Sequence, residues 1–224
     1  MGYLPPLKNL LFDFDFTLAD SFAGVIDCAQ YAFGKMGLPP PCVESIRATI
    51  GLSLRAAFRA LASQSGEQLE DEFERLYTER GDEIMLAKTH LFPDTRYVLE
   101  TLTRRGCRLG IVSTKFRRRV ESVLARDRCR TYFQLIIAAD DVRQQKPSPE
   151  GAIEAMRRMK CDPSGCVFVG DSLVDAGTAR NAHLAMIGLT TGATTAEQLK
   201  TAGAVVVFPS LSGLLTLPNA TPAT

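Results

Sequence analysis

The chain has 224 residues, 46% of them hydrophobic and 23% charged, with 26 Lys and Arg against 25 Asp and Glu. That length holds one large domain or a core with a smaller insertion, and the composition is that of a folded globular chain, not a disordered one. A charge balance near zero gives no electrostatic case for nucleic acid or an anionic membrane as the main partner.

The first residues, Met1 to Lys8, carry two prolines and no apolar run with a cleavage site, so they do not read as a signal peptide. No stretch approaches the roughly 20 apolar residues needed to cross a bilayer. The six cysteines stand at 28, 42, 107, 129, 161 and 166 without a Cys-x-x-Cys pair. Cys161 and Cys166 lack the companions of a zinc site. All six read as reduced thiols, and the expected location is cytoplasmic.

Along the chain, Leu10-Leu11-Phe12 reads as a short buried strand leading into Asp13. From about Ser21 to Lys88 no strand pattern appears. Leu54, Ala57, Phe58 and Leu61 follow helical spacing, as do Leu69, Phe73, Leu76, Tyr77, Arg80 and Ile84, while Gly37-Leu38-Pro39-Pro40-Pro41 interrupts. A helix is expected over Thr95 to Arg105, with Val98, Leu99 and Leu102 on its apolar face. The run Arg108 to Val112 then leads into Ser113, and Leu135-Ile136-Ile137 into Ala138. Pro149 to Lys160 reads as a helix burying Ile153, Met156 and Met159. Cys166 to Val169 leads into Gly170-Asp171, and further strands are expected at Leu184 to Leu189 and Ala204 to Phe208.

Strand and helix alternate, which predicts an α/β fold with a parallel sheet and right-handed crossovers. The helical block is too long for a simple crossover and predicts an inserted subdomain. The expected division is 1–20 and 89–217 for the core, 21–88 for the helical insertion, and 218–224 for a mobile tail of Pro, Ala and Thr.

Active sites in such sheets lie at the carboxyl ends of the strands. Asp13, Ser113 and Asp171 all fall there. Asp13 and Asp15 are one residue apart, and the chain must turn between them for both to face one cleft. Alone, such a pair is a common turn or cap. Ser113-Thr114 adds hydroxyls, Lys146 adds a cation before a helix, and Asp171 with Asp175 adds a second carboxylate pair. Nucleophile, acid, phosphate-binding groups and metal ligands are what phosphoryl transfer through a covalent aspartyl phosphate needs.

In this order the segments Asp13-Phe14-Asp15-Phe16-Thr17, Ile111-Val112-Ser113-Thr114-Lys115, Lys146-Pro147 and Gly170-Asp171-Ser172-Leu173-Val174-Asp175 resemble the four motifs of the haloacid dehalogenase-like hydrolase superfamily. The helical block resembles the cap of its phosphoglycolate phosphatase and β-phosphoglucomutase branch. The resemblance implies a Rossmann-like core and a Mg²⁺-dependent phosphatase. Asp13 would be the nucleophile and a metal ligand. Asp15 would be the acid and base, its carbonyl also ligating the metal. Ser113 and the Thr114 N–H would hold phosphoryl oxygens, Lys146 would bridge nucleophile and phosphoryl group, and Asp171 and Asp175 would complete the metal shell. Mg²⁺ and Lys146 would balance carboxylates that otherwise repel each other. Asp13 must be ionised to attack, whereas Asp15 must first hold a proton.

Two positions depart from the family pattern. Phe16 stands where Gly is usual and would either crowd the cleft or turn toward the cap, and Thr114 stands where Asn is common. Arg117-Arg118-Arg119 reads as a solvated helix face with at most one member near the cleft. His90 and His183 read as structural. Thr49-Ile50-Gly51-Leu52 resembles the cap loop that reads substrates, with Arg47 or Arg55 facing an anionic leaving group.

The expected substrate is a small phosphorylated metabolite, phosphoglycolate or pyrophosphate first, and the expected assembly a monomer or weak homodimer without nucleic acid or membrane partners. A sugar phosphomutase is the alternative within the family, and a catalytically silent regulator the alternative outside enzymology.

Overall fold

The computed structural model describes residues 4–64 and 66–218, so the expected tail lies outside the described residues except for Pro218. In chain order the elements are β1 Asn9–Phe12, β2 Ala19–Asp20, α1 Phe22–Lys35, α2 Val43–Ala48, α3 Leu54–Leu61, α4 Glu67–Ile84, β3 His90–Leu91, α5 Thr95–Arg104 and β4 Arg108–Val112. They continue as α6 Arg117–Arg126, β5 Phe133–Ile137, α7 Glu150–Met159, β6 Cys166–Gly170, α8 Leu173–Asn181, β7 Ala185–Leu189, α9 Ala196–Thr201 and β8 Ala204–Phe208. No described helix is long and apolar enough to cross a membrane.

Six strands form one sheet in the order β5-β4-β1-β6-β7-β8, and every adjacent pair runs parallel. Both faces are covered, which is why the strands read as continuous apolar runs and not as alternating ones. Leu10, Phe12, Leu109, Ile111, Val167 and Val169 pack on one face with α5 and α6. Leu11, Val112, Ile137 and Phe168 pack on the other with α7 and α8. β1 lies centrally, and the chain order reverses between β4 on one side and β6 on the other. A crevice opens at such a reversal, outside the carboxyl ends of the strands.

The face of α7 differs from its expected one. Ile153 is 51% exposed, and Gly151, Ala152, Ala155, Met156 and Met159 are buried. A Cβ on Gly151 would stand 3.0 Å from Val112 and 3.3 Å from Ile137. The helix thus approaches the sheet too closely for a large side chain in its first turn, and the isoleucine is turned outward.

The described residues between 22 and 84 form four helices with an apolar core of their own, from Cys28, Phe33, Ile46, Phe58, Phe73 and Tyr77 among others. Phe33, Phe58 and Phe73 make a mutual aromatic cluster with ring centroids 5.2–5.7 Å apart, in tilted and edge-on arrangements. The two chain crossings into this block run side by side, because β2 and β3 pair antiparallel, Ala19 opposite Leu91 and Asp20 opposite His90. These two-residue strands are too short to carry a periodicity.

Candidate active site

Four strand ends assemble the site. The Asp13 N–H donates to the Val169 carbonyl at 2.9 Å, continuing the pairing of β1 with β6 one step beyond the strand. The chain then turns tightly. The Phe14 carbonyl accepts from Leu18 N–H at 2.9 Å and Ala19 N–H at 3.1 Å, and the Phe16 N–H donates to Ala19 at 2.7 Å. Phe16 takes a left-handed conformation, φ 57°, which explains why glycine suits this position. Its ring is buried and points to the helical block, 6.1 Å from the ring of Phe22. The ring therefore packs on the helical block while also bordering the cleft beside Asp171 and Ser172.

Asp13, Asp171, Asp175 and Lys146 meet directly. The Lys146 ammonium lies 2.7 Å from Asp13 Oδ1 and 2.6 Å from Asp175 Oδ1, and all three side chains are buried. Oxygens of Asp13, Asp171 and Asp175 lie within 4.8 Å of one another. Burial pushes the Asp13 carboxyl up to about 7, Lys146 pulls it back, and Asp175 adds to the rise. Asp171 is raised well above the ordinary carboxylate range, by burial first and then by the charges of Asp175 and Asp13. Burial works against the charge of Lys146, but Asp13 and Asp175 outweigh it and hold the ammonium charged.

Asp175 is tied down at both oxygens. Oδ1 receives Lys146, while Oδ2 accepts from the Ser172 N–H at 3.1 Å and hydroxyl at 2.6 Å. Ser172 Oγ accepts from the Asp175 N–H in return, closing a capping box at the start of α8. The carboxylate therefore serves the helix terminus and the lysine together. Glycines make room on both sides: a Cβ on Gly170 would strike Asp175, and one on Gly192 would overlap Asp171 Oδ2. The loop carrying Lys146 is fixed by α8, since Asn181 donates to the Pro147 carbonyl at 3.0 Å.

A divalent cation fits this donor set. Asp13 Oδ1 is buried and, among the described residues, finds only the lysine, at an angle outside hydrogen-bond geometry. Three clustered carboxylates with one ammonium leave a surplus of negative charge, and hard oxygen donors suit Mg²⁺. Asp171 Oδ1 is held by the Thr17 hydroxyl at 3.0 Å.

Asp15 faces elsewhere. It accepts from Ser21 Oγ at 2.6 Å and from Lys115 Nζ at 2.9 and 3.1 Å. Ser113 directly follows β4, the neighbour of β1, its hydroxyl accepting from the Lys115 N–H at 3.2 Å. Thr114 Oγ1 reaches across to the Gly51 carbonyl at 3.4 Å, so the 49–52 loop of the helical block rests on the strand end. Gly51 also sits against Ser172, where a Cβ would come within 3.2 Å of Oγ.

Lys115 and Thr17 escaped the sequence reading. Lys115 had a signal in standing two residues after Ser113, beside the end of β4. Arg119 corrects the reading of the basic cluster. It is buried, not solvated, and donates to the Thr78 carbonyl at 2.7 Å and to Asp82 at 3.0 Å. Gly81 packs directly on its guanidinium. Arg117 pairs with Asp141 and Arg118 with Asp82 on the surface. Of the two arginines singled out in the helical block, Arg55 is drawn into Asp71, Glu74 and Glu70. Arg47 stacks on Phe22 at 3.8 Å from the ring centroid.

Residues 10–189 match the haloacid dehalogenase-like hydrolase family. The chain belongs to that family. It is 32% identical over 206 residues to the relative named "Probable phosphatase IndB" of Dickeya dadantii (strain 3937), covering 91% of this chain and 90% of that one. A phosphoglycolate phosphatase of Photorhabdus laumondii is 27% identical over 220 residues, covering 95% and 92%. Among solved structures, a haloacid dehalogenase-like hydrolase from Bacteroides fragilis superposes with a TM-score of 0.90 at 36% identity, covering 93% of this chain and 99% of that one. The family match spans all four strand-end segments, from Asp13 through Asp175.

Proposed function

We propose that this haloacid dehalogenase-like phosphatase hydrolyses a small phosphorylated metabolite through a covalent phosphate on Asp13, with Mg²⁺ as its cofactor. Phosphoglycolate is the first candidate, because several relatives carry that name, and pyrophosphate is the second. The observation that carries the reading is the buried contact of Asp13 with Lys146, itself braced by Asp175.

In the first step an oxygen of Asp13 forms a bond to phosphorus, the bond from phosphorus to the leaving oxygen breaks, and Asp15 gives that oxygen its proton. In the second, water attacks phosphorus, Asp15 takes the proton from the water, and the Asp13–phosphorus bond breaks. Lys146 neutralises the nucleophile and the incoming phosphoryl charge. Ser113 Oγ and the Thr114 N–H hydrogen-bond phosphoryl oxygens. Asp13, the Asp15 carbonyl and Asp171 would hold the metal. Asp175 stands behind them, since both of its oxygens are already engaged by Lys146 and Ser172. When bound, Mg²⁺ supplies positive charge against the phosphoryl group and screens the carboxylates from one another.

The reading extends to the domains. Residues 21–88 act as a cap over the core of 1–20 and 89–217, supported by the separate apolar cluster and the paired crossings at β2 and β3.

Phosphate release from a panel of phosphoglycolate, pyrophosphate, sugar phosphates and nucleotides, with and without Mg²⁺, tests the proposal. Wild type should be active with Mg²⁺ and Asp13→Asn inactive. Equal inactivity of both across the panel would overturn it.

A further inference from the structure

The loop that follows β7 touches the site at two successive residues. Thr191 donates its hydroxyl to the Phe16 carbonyl, across 175 positions of sequence. Gly192, the next residue, stands against the Asp171 carboxylate. The loop is itself anchored at both ends. The Thr190 N–H donates to the Phe208 carbonyl at 3.0 Å, extending the pairing of β7 with β8. Thr195 closes a capping box with Gln198 at the start of α9.

Phe16 is the residue that needs such support. Its φ of 57° lies in the left-handed region, which glycine enters freely and a bulky side chain does not. Hydrogen bonds hold the peptide planes on both sides of it. On the N-terminal side the Phe16 N–H donates to the Ala19 carbonyl at 2.7 Å. A peptide is planar, so this bond also fixes the Asp15 carbonyl, which belongs to the same unit. On the C-terminal side the Thr191 hydroxyl is the only donor to the Phe16 carbonyl among the described residues. That plane leads into Thr17, whose own hydroxyl donates to Asp171 Oδ1 at 3.0 Å. Thr17 and Asp171 are both buried. Phe16 thus lies between the Asp15 carbonyl on one side and, through Thr17, Asp171 on the other.

We propose that Thr191 is a positioning residue for the Mg²⁺ site. Its hydroxyl holds the left-handed turn at Phe16, and so keeps the Asp15 carbonyl and the Thr17 hydroxyl in place. Without that donor Phe16 is free to relax toward negative φ, which rotates the peptide planes on either side of it. The Asp15 carbonyl then turns away, and Thr17 loses its hold on Asp171. The hydroxyl matters because position 16 carries Phe. A glycine there needs no outside donor to stay left-handed. This role rests on the phosphatase reading, in which the Asp15 carbonyl and Asp171 take the metal.

Calorimetric titration with Mg²⁺ in the absence of substrate tests it, alongside the melting temperature of the metal-free protein. Thr191→Val keeps the shape of the side chain and removes the donor. It should raise the Mg²⁺ dissociation constant about tenfold, the scale of losing an outer partner of a metal ligand. Thr191→Ser keeps the donor and should bind like wild type. In a Phe16→Gly background Thr191→Val should have little further effect, because both changes act on one backbone conformation. An unchanged dissociation constant in Thr191→Val would overturn the proposal even if the melting temperature fell, since the hydroxyl would then serve the fold alone. So would a full loss in Thr191→Ser, or an equal loss in the Phe16→Gly background. Wild-type protein that binds no Mg²⁺ and releases no phosphate from the panel would overturn the phosphatase reading instead.

Discussion

Gly192 stands directly against the carboxylate of Asp171, so closely that a methyl group at 192 would overlap Oδ2. The obstacle is a buried carboxyl already held by Thr17, and it cannot swing into solvent as a surface side chain would. Gly192→Ala should displace Asp171 and weaken Mg²⁺ binding by about 10- to 100-fold, the range seen when support for a metal ligand is lost. Overpacking should also cost about 1–3 kcal/mol of stability. A Mg²⁺ titration of activity and a denaturant melt read the two effects separately. Unchanged half-activation would place Asp171 outside the metal site.

Lys115 should matter to chemistry and not to metal binding. Its ammonium bonds both oxygens of Asp15 and touches none of the three clustered carboxylates. Lys115→Met should lower kcat by on the order of 10²-fold, the scale of a misplaced acid–base group, with Mg²⁺ half-activation unchanged. A parallel loss of metal affinity would show that Lys115 acts on the Asp13 cluster instead.

Phe16→Gly sets two effects against each other. Glycine relieves the left-handed backbone at this position, worth about 1 kcal/mol, but it removes a buried ring whose loss costs about 3–5 kcal/mol. Net destabilisation of about 3 kcal/mol should appear in chemical denaturation. The ring packs on Phe22, on which Arg47 stacks, so the variant should alter preference across the phosphate panel more than Mg²⁺ dependence. Equal loss of metal response and of every activity would place Phe16 in the catalytic turn itself.

Asp27 gives a pH-dependent prediction away from the chemistry. Hydrogen bonds from Arg80 at 2.8 Å and Lys88 at 2.6 Å hold its carboxyl below the ordinary carboxylate range. A depressed folded value means the pair stabilises the protein above the unfolded value, near 3.9, and the contribution fades as pH falls through the folded value. The ions are part-exposed, so Asp27→Asn should cost no more than about 1 kcal/mol at neutral pH. The gap between wild type and variant should narrow in denaturation curves as pH falls below the unfolded value and through the folded one. A gap that stays constant with pH would assign the loss to packing.

The order of elements was legible from local pattern. All six sheet strands lie on short apolar runs, and β1, β4 and β6 lead directly into Asp13, Ser113 and Asp171, because a strand covered on both faces must be apolar throughout. The site residues Asp13, Lys146, Asp171 and Asp175 could be named for a related reason. Each stands within a few residues of a strand end or helix start, and a parallel sheet gathers such ends in one place. What no local pattern could supply was which side of Asp15 is occupied, and by what. The pairing of Lys115 with Asp15 spans 100 residues and that of Thr17 with Asp171 spans 154. The outward turn of Ile153 was hidden for the same reason, since its face is set by how closely α7 can approach Val112 and Ile137. Composition and periodicity determined a parallel α/β core with carboxylates at its edge. Close approach between distant segments decided which of those carboxylates meet a lysine, which meets a glycine, and what space remains between them for a substrate.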